Sequence, residues 1–145
     1  MTVPFRTRRQ IRFAHCDPAG IAYYPRYFEI CDGIVEDWCE TALVSRRILH
    51  LELGLALPTV DLRATFTAPS RLGDELDISL FVQAIGRSSL QLSADASCAG
   101  EPRFTVQYTQ VLMSMADVRA VPWPDDWRKR IEALLPWQGS LEADS

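Results

Sequence analysis

The chain has 145 residues, and its content of 48% hydrophobic and 23% charged residues is that of one globular domain with one core. Nineteen acidic against fifteen basic residues give a net charge of −4, which argues against a general nucleic-acid-binding protein, since such proteins carry a basic surface. The two histidines and four cysteines include no C-x-x-C pair, so we expect free thiols and neither a metal nor a redox cofactor.

The first predicted element is a strand over residues 5–13, whose side chains alternate between two sets. One set comprises Phe5, Thr7, Arg9, Ile11 and Phe13. A period of two is typical of a strand whose faces differ. The sequence Asp-Pro-Ala-Gly at 17–20 then predicts a turn.

A long helix is predicted from Pro25 to Leu43. Proline is favoured at the first helical position, and the apolar residues that follow recur at helical spacing. They are Tyr27, Phe28, Cys31, Ile34, Val35, Trp38, Cys39 and Ala42. Such a broad stripe predicts that another layer wraps closely around this helix. Residues 45–53 fit a further helical turn or two, which Gly54 ends.

Beyond residue 54 the period changes to two, which predicts four strands. Their alternating apolar residues lie at 60–68, 76–82, 90–98 and 104–108. The last series then shifts phase and continues at Val111, Met113 and Met115, as it would across a β-bulge.

Turn residues fill the connections between these strands, at 71–74, 86–88 and 99–102. They predict hairpin loops and therefore an antiparallel sheet with one apolar face. Pro122-Trp123-Pro124 ends the last strand, and a short amphipathic helix is predicted after it.

A one-sided sheet and a single amphipathic helix bury each other if the sheet curls around the helix. The predicted fold class is therefore α+β, with an antiparallel sheet of about five strands wrapped around one long central helix. We interpret 1–139 as one domain and 140–145 as a frayed tail. No apolar run is long enough to span a membrane, and the N-terminus lacks the apolar core of a secretory signal, so we expect a cytoplasmic protein with no membrane partner.

Asp17 lies between the first strand and the long helix, close to several tyrosines. The first turn of a helix leaves backbone N–H groups unpaired, and its dipole favours negative charge. Donors in the region from Tyr24 to Tyr27 would polarise a carbonyl oxygen, and Asp17 would attack that carbonyl or activate water. These residues predict a hydrolase site without a Ser-His-Asp triad. The alternative is that Asp17 only stabilises its own turn.

The segment DPAGIAYYPRYF, which starts at Asp17, resembles the signature of the 4-hydroxybenzoyl-CoA thioesterase family of hotdog-fold proteins. ATFTAPSRLGDELDI, from Ala64 to Ile78, is similar to a strand and Ala-Pro-x-x-x-x-Asp turn of that family, and the resemblance covers about residues 6–118. It implies a hotdog fold and an acyl-CoA thioesterase without a cofactor. It also implies a homodimer or homotetramer with its sites at a subunit interface.

The resemblance also implies roles for single residues. Asp17 matches the catalytic acid of the family, as nucleophile or as general base, and the Tyr24 N–H matches the donor to the thioester oxygen. Tyr23 and Tyr27 are candidates for the wall of an acyl pocket, although Tyr27 has the helical spacing of a core residue. Asp32 matches an acid that lies near the hydroxyl of an aromatic acyl group, although an edge residue that reaches solvent is the alternative.

Coenzyme A carries phosphates, which require cations or N–H groups. Arg87 and Ser88 match a basic turn that contacts CoA in the resembled enzyme, but only one arginine stands there. Nucleotide binding therefore shifts to Arg71 or to a partner subunit, and the alternative for each arginine is a surface residue that binds no ligand. Two other functions stay open: hydrolysis of acyl-carrier-protein or short-chain acyl thioesters, and a non-catalytic acyl-CoA-binding module.

Overall fold

The helix α1, at Tyr24–Ala42, lies against a five-stranded antiparallel sheet, and the computed structural model describes residues 4–135. The strands are β1 Phe5–Gln10, β2 Leu55–Ala56, β3 Thr59–Phe66, β4 Glu75–Ile85, β5 Ser89–Cys98, β6 Glu101–Val111, β7 Met113–Ser114 and β8 Arg119–Ala120. The other helical segments are a 3₁₀ turn at Phe13–His15, a π-helical turn at Ile48–Glu52 and α2 at Asp125–Glu132. The predicted α+β class and central helix are confirmed.

The described chain has eight strands rather than the predicted five or so. Five form the main sheet in the order β1-β4-β5-β6-β3, and three strands of two residues form a second sheet in the order β2-β7-β8. These short strands carry too few residues to show a period of two, so no alternation in the sequence could reveal them.

The buried stripe of α1 is close to the predicted one and comprises Tyr27, Ile30, Cys31, Ile34, Val35, Trp38 and Cys39. It shares one core with the inward residues of β4, β5 and β6. In β4, for example, Leu76, Ile78, Leu80 and Val82 are all at most 4% exposed. The Tyr27 ring lies with its centroid 4.4 Å from that of Phe104, so helix and sheet are in direct aromatic contact.

Residues 71–74 do not form a hairpin loop, which corrects the prediction. The strands on either side, β3 and β4, are not neighbours, because β6 and β5 lie between them. The chain therefore crosses from the edge of the sheet at β3 to its other side. Residues 86–88 and 99–100 do connect neighbouring antiparallel strands as hairpins.

The predicted phase shift near Val111 is also wrong. The inward face of β6 continues without a break through Gln110, which is 2% exposed, and on to Leu112, which is fully buried. Gln110 interrupts the apolar pattern although it lies in the core, where its side-chain amide donates to Thr59 Oγ1 at 3.3 Å. The first strand likewise ends earlier than predicted, and Phe13 is 83% exposed in the 3₁₀ turn.

No helix within residues 4–135 is long and apolar enough to cross a membrane. Cytoplasmic location and the single domain over 1–139 stay predictions of the sequence, and the predicted tail at 140–145 lies outside the described residues.

Phe104→Ala is expected to lower the free energy of unfolding by about 3–5 kcal/mol, because it removes a buried ring that joins the sheet to α1. Thr105→Ala is the matched control, since its side chain points to the other face of β6. It is expected to change that free energy by about 0.5 kcal/mol or less. Urea unfolding of both variants measures the difference, and equal losses would contradict this assignment of the core.

Candidate active site

Asp17 is held in a tight turn between the 3₁₀ helix and α1. Its Oδ1 accepts hydrogen bonds from the Ala19 N–H at 2.9 Å and the Ile21 N–H at 3.4 Å. The Gly20 N–H donates to the Asp17 carbonyl at 3.0 Å, and the φ angle of +77° at Gly20 suits glycine. Asp17 therefore does stabilise its own turn. Its Oδ2 makes no hydrogen bond within residues 4–135, and the residue is exposed, so this oxygen is available to a ligand.

The first N–H group of α1 is unpaired. The Tyr23 N–H donates to the His15 carbonyl at 2.8 Å, and the Arg26 N–H donates to the Tyr23 carbonyl at 2.8 Å. Pro25, the next residue, has no N–H to donate. The Tyr24 N–H lies between these groups and finds no acceptor in the described part of the chain. It is a free donor at the positive end of a helix.

A short backbone bridge brings the carboxylate and the donor into one neighbourhood. Cys16 pairs with Ala22 in an antiparallel bridge that closes the turn around Asp17. Asp17 follows Cys16 directly, and Tyr24 comes two residues after Ala22. An acid and an unpaired N–H donor at one helix start are the groups that a carbonyl substrate requires, because one polarises the carbonyl and the other attacks it or activates water.

An open, largely apolar depression of about 460 Å³ adjoins the helix start. Its lining residues are Ile21, Ala22, Tyr24, Tyr27, Phe66, Thr67, Ala68 and Pro69. Phe66, at the end of β3, joins the aromatic side chains here, with its ring centroid 6.0 Å from that of Tyr24 and 5.8 Å from that of Tyr27. Phe66 was not among the predicted site residues, although it stands directly before Thr67-Ala68-Pro69 in the second segment that resembles the family.

The two other predicted tyrosines differ in exposure. Tyr23 is 52% exposed, and its ring packs edge-on against Tyr24, so it borders the site. Tyr27 is only 4% exposed, which makes it mainly a core residue that reaches the depression with one edge. Both roles in ligand binding stay predictions.

Asp32 lies on the exposed side of α1, and its side chain is 63% exposed. It forms an ion pair with Arg46, whose Nη2 lies 3.6 Å from Asp32 Oδ1. Arg46 was not among the predicted site residues, because no spacing in the sequence pairs it with Asp32. Within the described residues, Nε and Nη2 of Arg46 and the hydroxyl of Tyr108 are shielded from solvent without a hydrogen-bond partner. Asp32 therefore belongs to a polar cluster that has unused hydrogen-bonding capacity.

The buried cysteines of α1 are poor nucleophiles. Burial, and to a lesser extent the negative charge of Asp32, raises the pKa of Cys31 to about 12. Burial also raises the pKa of Cys39. Since the thiolate is the reactive form, both residues stay as unreactive thiols at neutral pH. Among residues 4–135, no group of three or more histidine, cysteine or acidic side chains is arranged to hold a metal ion.

The predicted CoA-binding residues lie at two opposite ends of the sheet. Arg71 pairs with Ile21 in a backbone bridge and is therefore beside the Asp17 turn. Arg87 and Ser88 lie in the β4–β5 hairpin, which is separated from that end by the eleven residues of β4. A strand of that length spans about 35 Å. Within one chain, therefore, Arg87 and Ser88 do not reach Asp17.

Sequence comparison finds relatives that are named 1,4-dihydroxy-2-naphthoyl-CoA hydrolase. The relative from Thermosynechococcus vestitus is 27% identical over 119 residues, which cover 81% of this chain and 82% of the relative. The relative from Synechocystis is 24% identical over 129 residues, which cover 88% and 94%.

Two solved structures illustrate the match to the fold. The 1,4-dihydroxy-2-naphthoyl-CoA thioesterase from Synechocystis matches with a TM-score of 0.80 at 25% identity, over 90% of this chain and 96% of the other. A Staphylococcus aureus protein solved in complex with CoA matches with a TM-score of 0.85 at 15% identity, over 93% and 87%, and at that identity the likeness shows the fold alone.

The predicted hotdog thioesterase fold is thus supported by both the arrangement of elements and the structural neighbours. The model of the thioesterase-like superfamily matches residues 11–131, which include the Asp17 turn, all of α1 and the main sheet from β3 onwards. The chain belongs to the thioesterase-like superfamily.

Proposed function

We propose that the protein is an acyl-CoA thioesterase, which hydrolyses an acyl-CoA to CoA and a carboxylic acid. The observation that carries this proposal is the exposed Asp17 carboxylate in a turn that closes beside the unpaired Tyr24 N–H. Membership of the thioesterase-like superfamily and relatives named as CoA-thioester hydrolases support it.

In the proposed reaction, the thioester carbonyl oxygen accepts a hydrogen bond from the Tyr24 N–H. The helix start stabilises the negative charge that forms on this oxygen in the transition state. Asp17 either adds to the carbonyl carbon, which gives an anhydride that water then cleaves, or takes a proton from a water molecule that adds. In both routes the carbon–sulfur bond breaks. In the first route CoA leaves as a thiolate, which is protonated when water cleaves the anhydride; in the second its sulfur takes the proton that Asp17 removed from water. The reaction needs no metal or redox group.

The acyl group proposed is aromatic and hydroxylated. Tyr24, Phe28 and Phe66 present ring edges and faces beside the helix start, which suits a flat acyl group. Asp32 lies eight residues, and so about 12 Å, further along α1 than Tyr24. In the pair of Asp32 with Arg46, the carboxylate can accept a hydrogen bond from a ring hydroxyl and the guanidinium can donate one to it. The likeness to the 4-hydroxybenzoyl-CoA thioesterase family and the relatives named naphthoyl-CoA hydrolases support the same class of substrate.

We further propose a homodimer or homotetramer in which copies of the chain share sites. The strand β3 lies at the edge of the sheet, where Val60, Leu62 and Phe66 are 61%, 43% and 45% exposed. Apolar side chains on an unpaired edge favour association with another chain. Arg71 then serves the nucleotide of CoA in its own chain's site, and Arg87 and Ser88 serve a site of another copy.

Asp17→Asn is expected to lower kcat by about 10²–10⁴-fold, because an amide is neither a nucleophile nor a base here. Hydrolysis of 4-hydroxybenzoyl-, benzoyl-, acetyl-, hexanoyl- and palmitoyl-CoA by the wild type and the variant measures this. Asp95→Asn, at an exposed position of the central strand β5, is the matched control and should retain wild-type rates. An active Asp17→Asn protein would contradict the role of the acid, and a wild type that binds CoA but hydrolyses no member would favour a binding module or a carrier-protein thioesterase.

Asp32→Asn and Arg46→Met are each expected to raise KM for 4-hydroxybenzoyl-CoA about tenfold or more while leaving KM for benzoyl-CoA nearly unchanged. The physical reason is that each loses a charged hydrogen-bond partner for the ring hydroxyl, and such bonds contribute about 1.5–3 kcal/mol. Glu36→Gln, one turn further along the exposed side of α1, is the control. Equal effects on both substrates would exclude Asp32 and Arg46 as determinants of the acyl group.

A subunit-mixing experiment tests whether sites are shared. Arg87→Ala is expected to raise KM for acyl-CoA but not for the acyl-pantetheine thioester, since only the former carries the phosphorylated nucleotide. When Asp17→Asn and Arg87→Ala proteins are unfolded and refolded together, a hybrid oligomer contains some sites with both natural residues. Activity at low acyl-CoA should then exceed the average of the two parents. Activity equal to that average would place both residues in one chain's site or exclude Arg87 from binding.

A further inference from the structure

Arg103 in β6 is a largely buried side chain that binds three other side chains, none of which the proposed reaction uses. Its side chain is 11% exposed. Nη1 donates to Asp74 Oδ2 at 2.7 Å and to Ser70 Oγ at 3.1 Å, and Nε donates to Glu101 Oε1 at 2.7 Å. Ser70, which is fully buried, and Asp74 both belong to the connection that crosses from β3 to β4.

A local irregularity of β6 gives Arg103 this position. The pairing between β5 and β6 shifts register at this point, with Ala96 opposite Phe104 and Ser97 opposite Pro102, so Arg103 has no partner across the ladder. Such a bulge turns a side chain out of the regular alternation. The Arg103 carbonyl also accepts the Thr67 N–H at 2.8 Å, so both its main chain and its side chain hold the connection.

The connection in turn holds the Asp17 turn from both sides. After Asp17, the Ala22 N–H donates to the Ser70 carbonyl at 2.8 Å, and the Leu72 N–H donates to the Gly20 carbonyl at 3.0 Å. Before Asp17, Ile11 exchanges two backbone hydrogen bonds with Gly73 and Asp74, each of 2.8 Å. The chain segment with Asp17 is therefore attached at both ends to residues that Arg103 fixes.

Asp74 links the Arg103 side chain to the backbone of the connection between β3 and β4. Its Oδ2 accepts the Arg71 N–H at 2.9 Å as well as the bond from Arg103. Arg103 and then the Arg71 N–H hold the pKa of Asp74 below its ordinary value, so the carboxylate stays charged at neutral pH. The guanidinium and the carboxylate therefore remain an ion pair under working conditions.

We infer that Arg103 is a positioning residue, which acts through Ser70 and Asp74 to fix the Asp17 carboxylate relative to the Tyr24 N–H. This inference rests on the proposed function, since it assumes that these two groups act on one thioester. Arg103 contacts neither the Asp17 carboxylate nor the Tyr24 N–H. Its effect is to keep the turn and the helix start in register, and a misplacement of about 1 Å between reacting groups costs about 100-fold in rate.

Arg103→Ala is expected to lower kcat for acyl-CoA hydrolysis by about 10–100-fold with little change in KM. Hydrogen exchange distinguishes this positioning role from a general loss of stability, because it reports on single amides. The amides of Ala22 and Leu72 should exchange faster, whereas the Ala94 amide in the middle of β5 should keep its protection. Wild-type kcat in a folded variant, or a lower kcat without faster exchange at Ala22 and Leu72, would overturn the inference.

Two further variants keep the test decisive. Arg130→Ala removes a guanidinium that donates to the Leu43 carbonyl at 3.2 Å, beyond the other end of α1, and should leave kcat unchanged. Ser70→Ala removes one Arg103 contact from a buried site at little cost in volume, and should lower kcat in the same direction but less. If Arg103→Ala does not fold, Ser70→Ala and Arg103→Lys decide the outcome, and wild-type kcat with unchanged exchange in both would overturn the inference.

The failure of this inference is distinct from the failure of the proposed function. A wild type that hydrolyses no acyl-CoA would refute the proposed function and with it the positioning role, while exchange at Ala22 and Leu72 would still report the contacts themselves. An inactive Asp17→Asn protein beside a fully active Arg103→Ala protein would refute only the positioning role.

Discussion

The burial of α1 against the curled sheet is the constraint on which the rest of the structure depends. The contact between Tyr27 and Phe104 lies in the first turns of the helix, so core packing fixes where the helix begins. Because that beginning carries an unpaired N–H at Tyr24 and is followed by Pro25, a donor group stands at a rigid place on the protein surface. The proposed site thus takes its polarising donor from the helix itself, because the first turn of any helix leaves backbone N–H groups unpaired.

The sequence was enough to predict the features that depend on the period of the apolar residues and on residues that are close along the chain. The stripe of α1, the alternation in β4 and β5 and two hairpins are confirmed, since each is determined within a few residues. Features that depend on the partner of a strand were not predictable. Residues 71–74 have the composition of a hairpin turn, but only the strand order shows that they cross the sheet. Gln110 is polar and is therefore expected to face solvent, but it is buried, with its Nε2 bonded to Thr59 and its Oε1 without a hydrogen-bond partner in the described residues.

The same distinction applies to the candidate site. Asp17 and Tyr24 lie seven residues apart and were found because local turn and helix chemistry marks them. Phe66, Arg46 and Arg103 come to the site region or its support from elsewhere in the chain, and no spacing in the sequence announces them. Arg87 resembles a binding residue in its motif, but the length of β4 keeps it away from its own chain's Asp17, so its predicted role depends on a second copy of the chain.

The buried thiols of α1 have a consequence for how such a site handles its own substrate. A thioester transfers its acyl group to any accessible thiolate, and Cys31 lies about one turn beyond Tyr27, close to the proposed acyl group. Because burial and Asp32 keep this thiol protonated, it does not compete with water for the acyl carbon. The core that positions the helix therefore also keeps these buried thiols of α1 from accepting the acyl group.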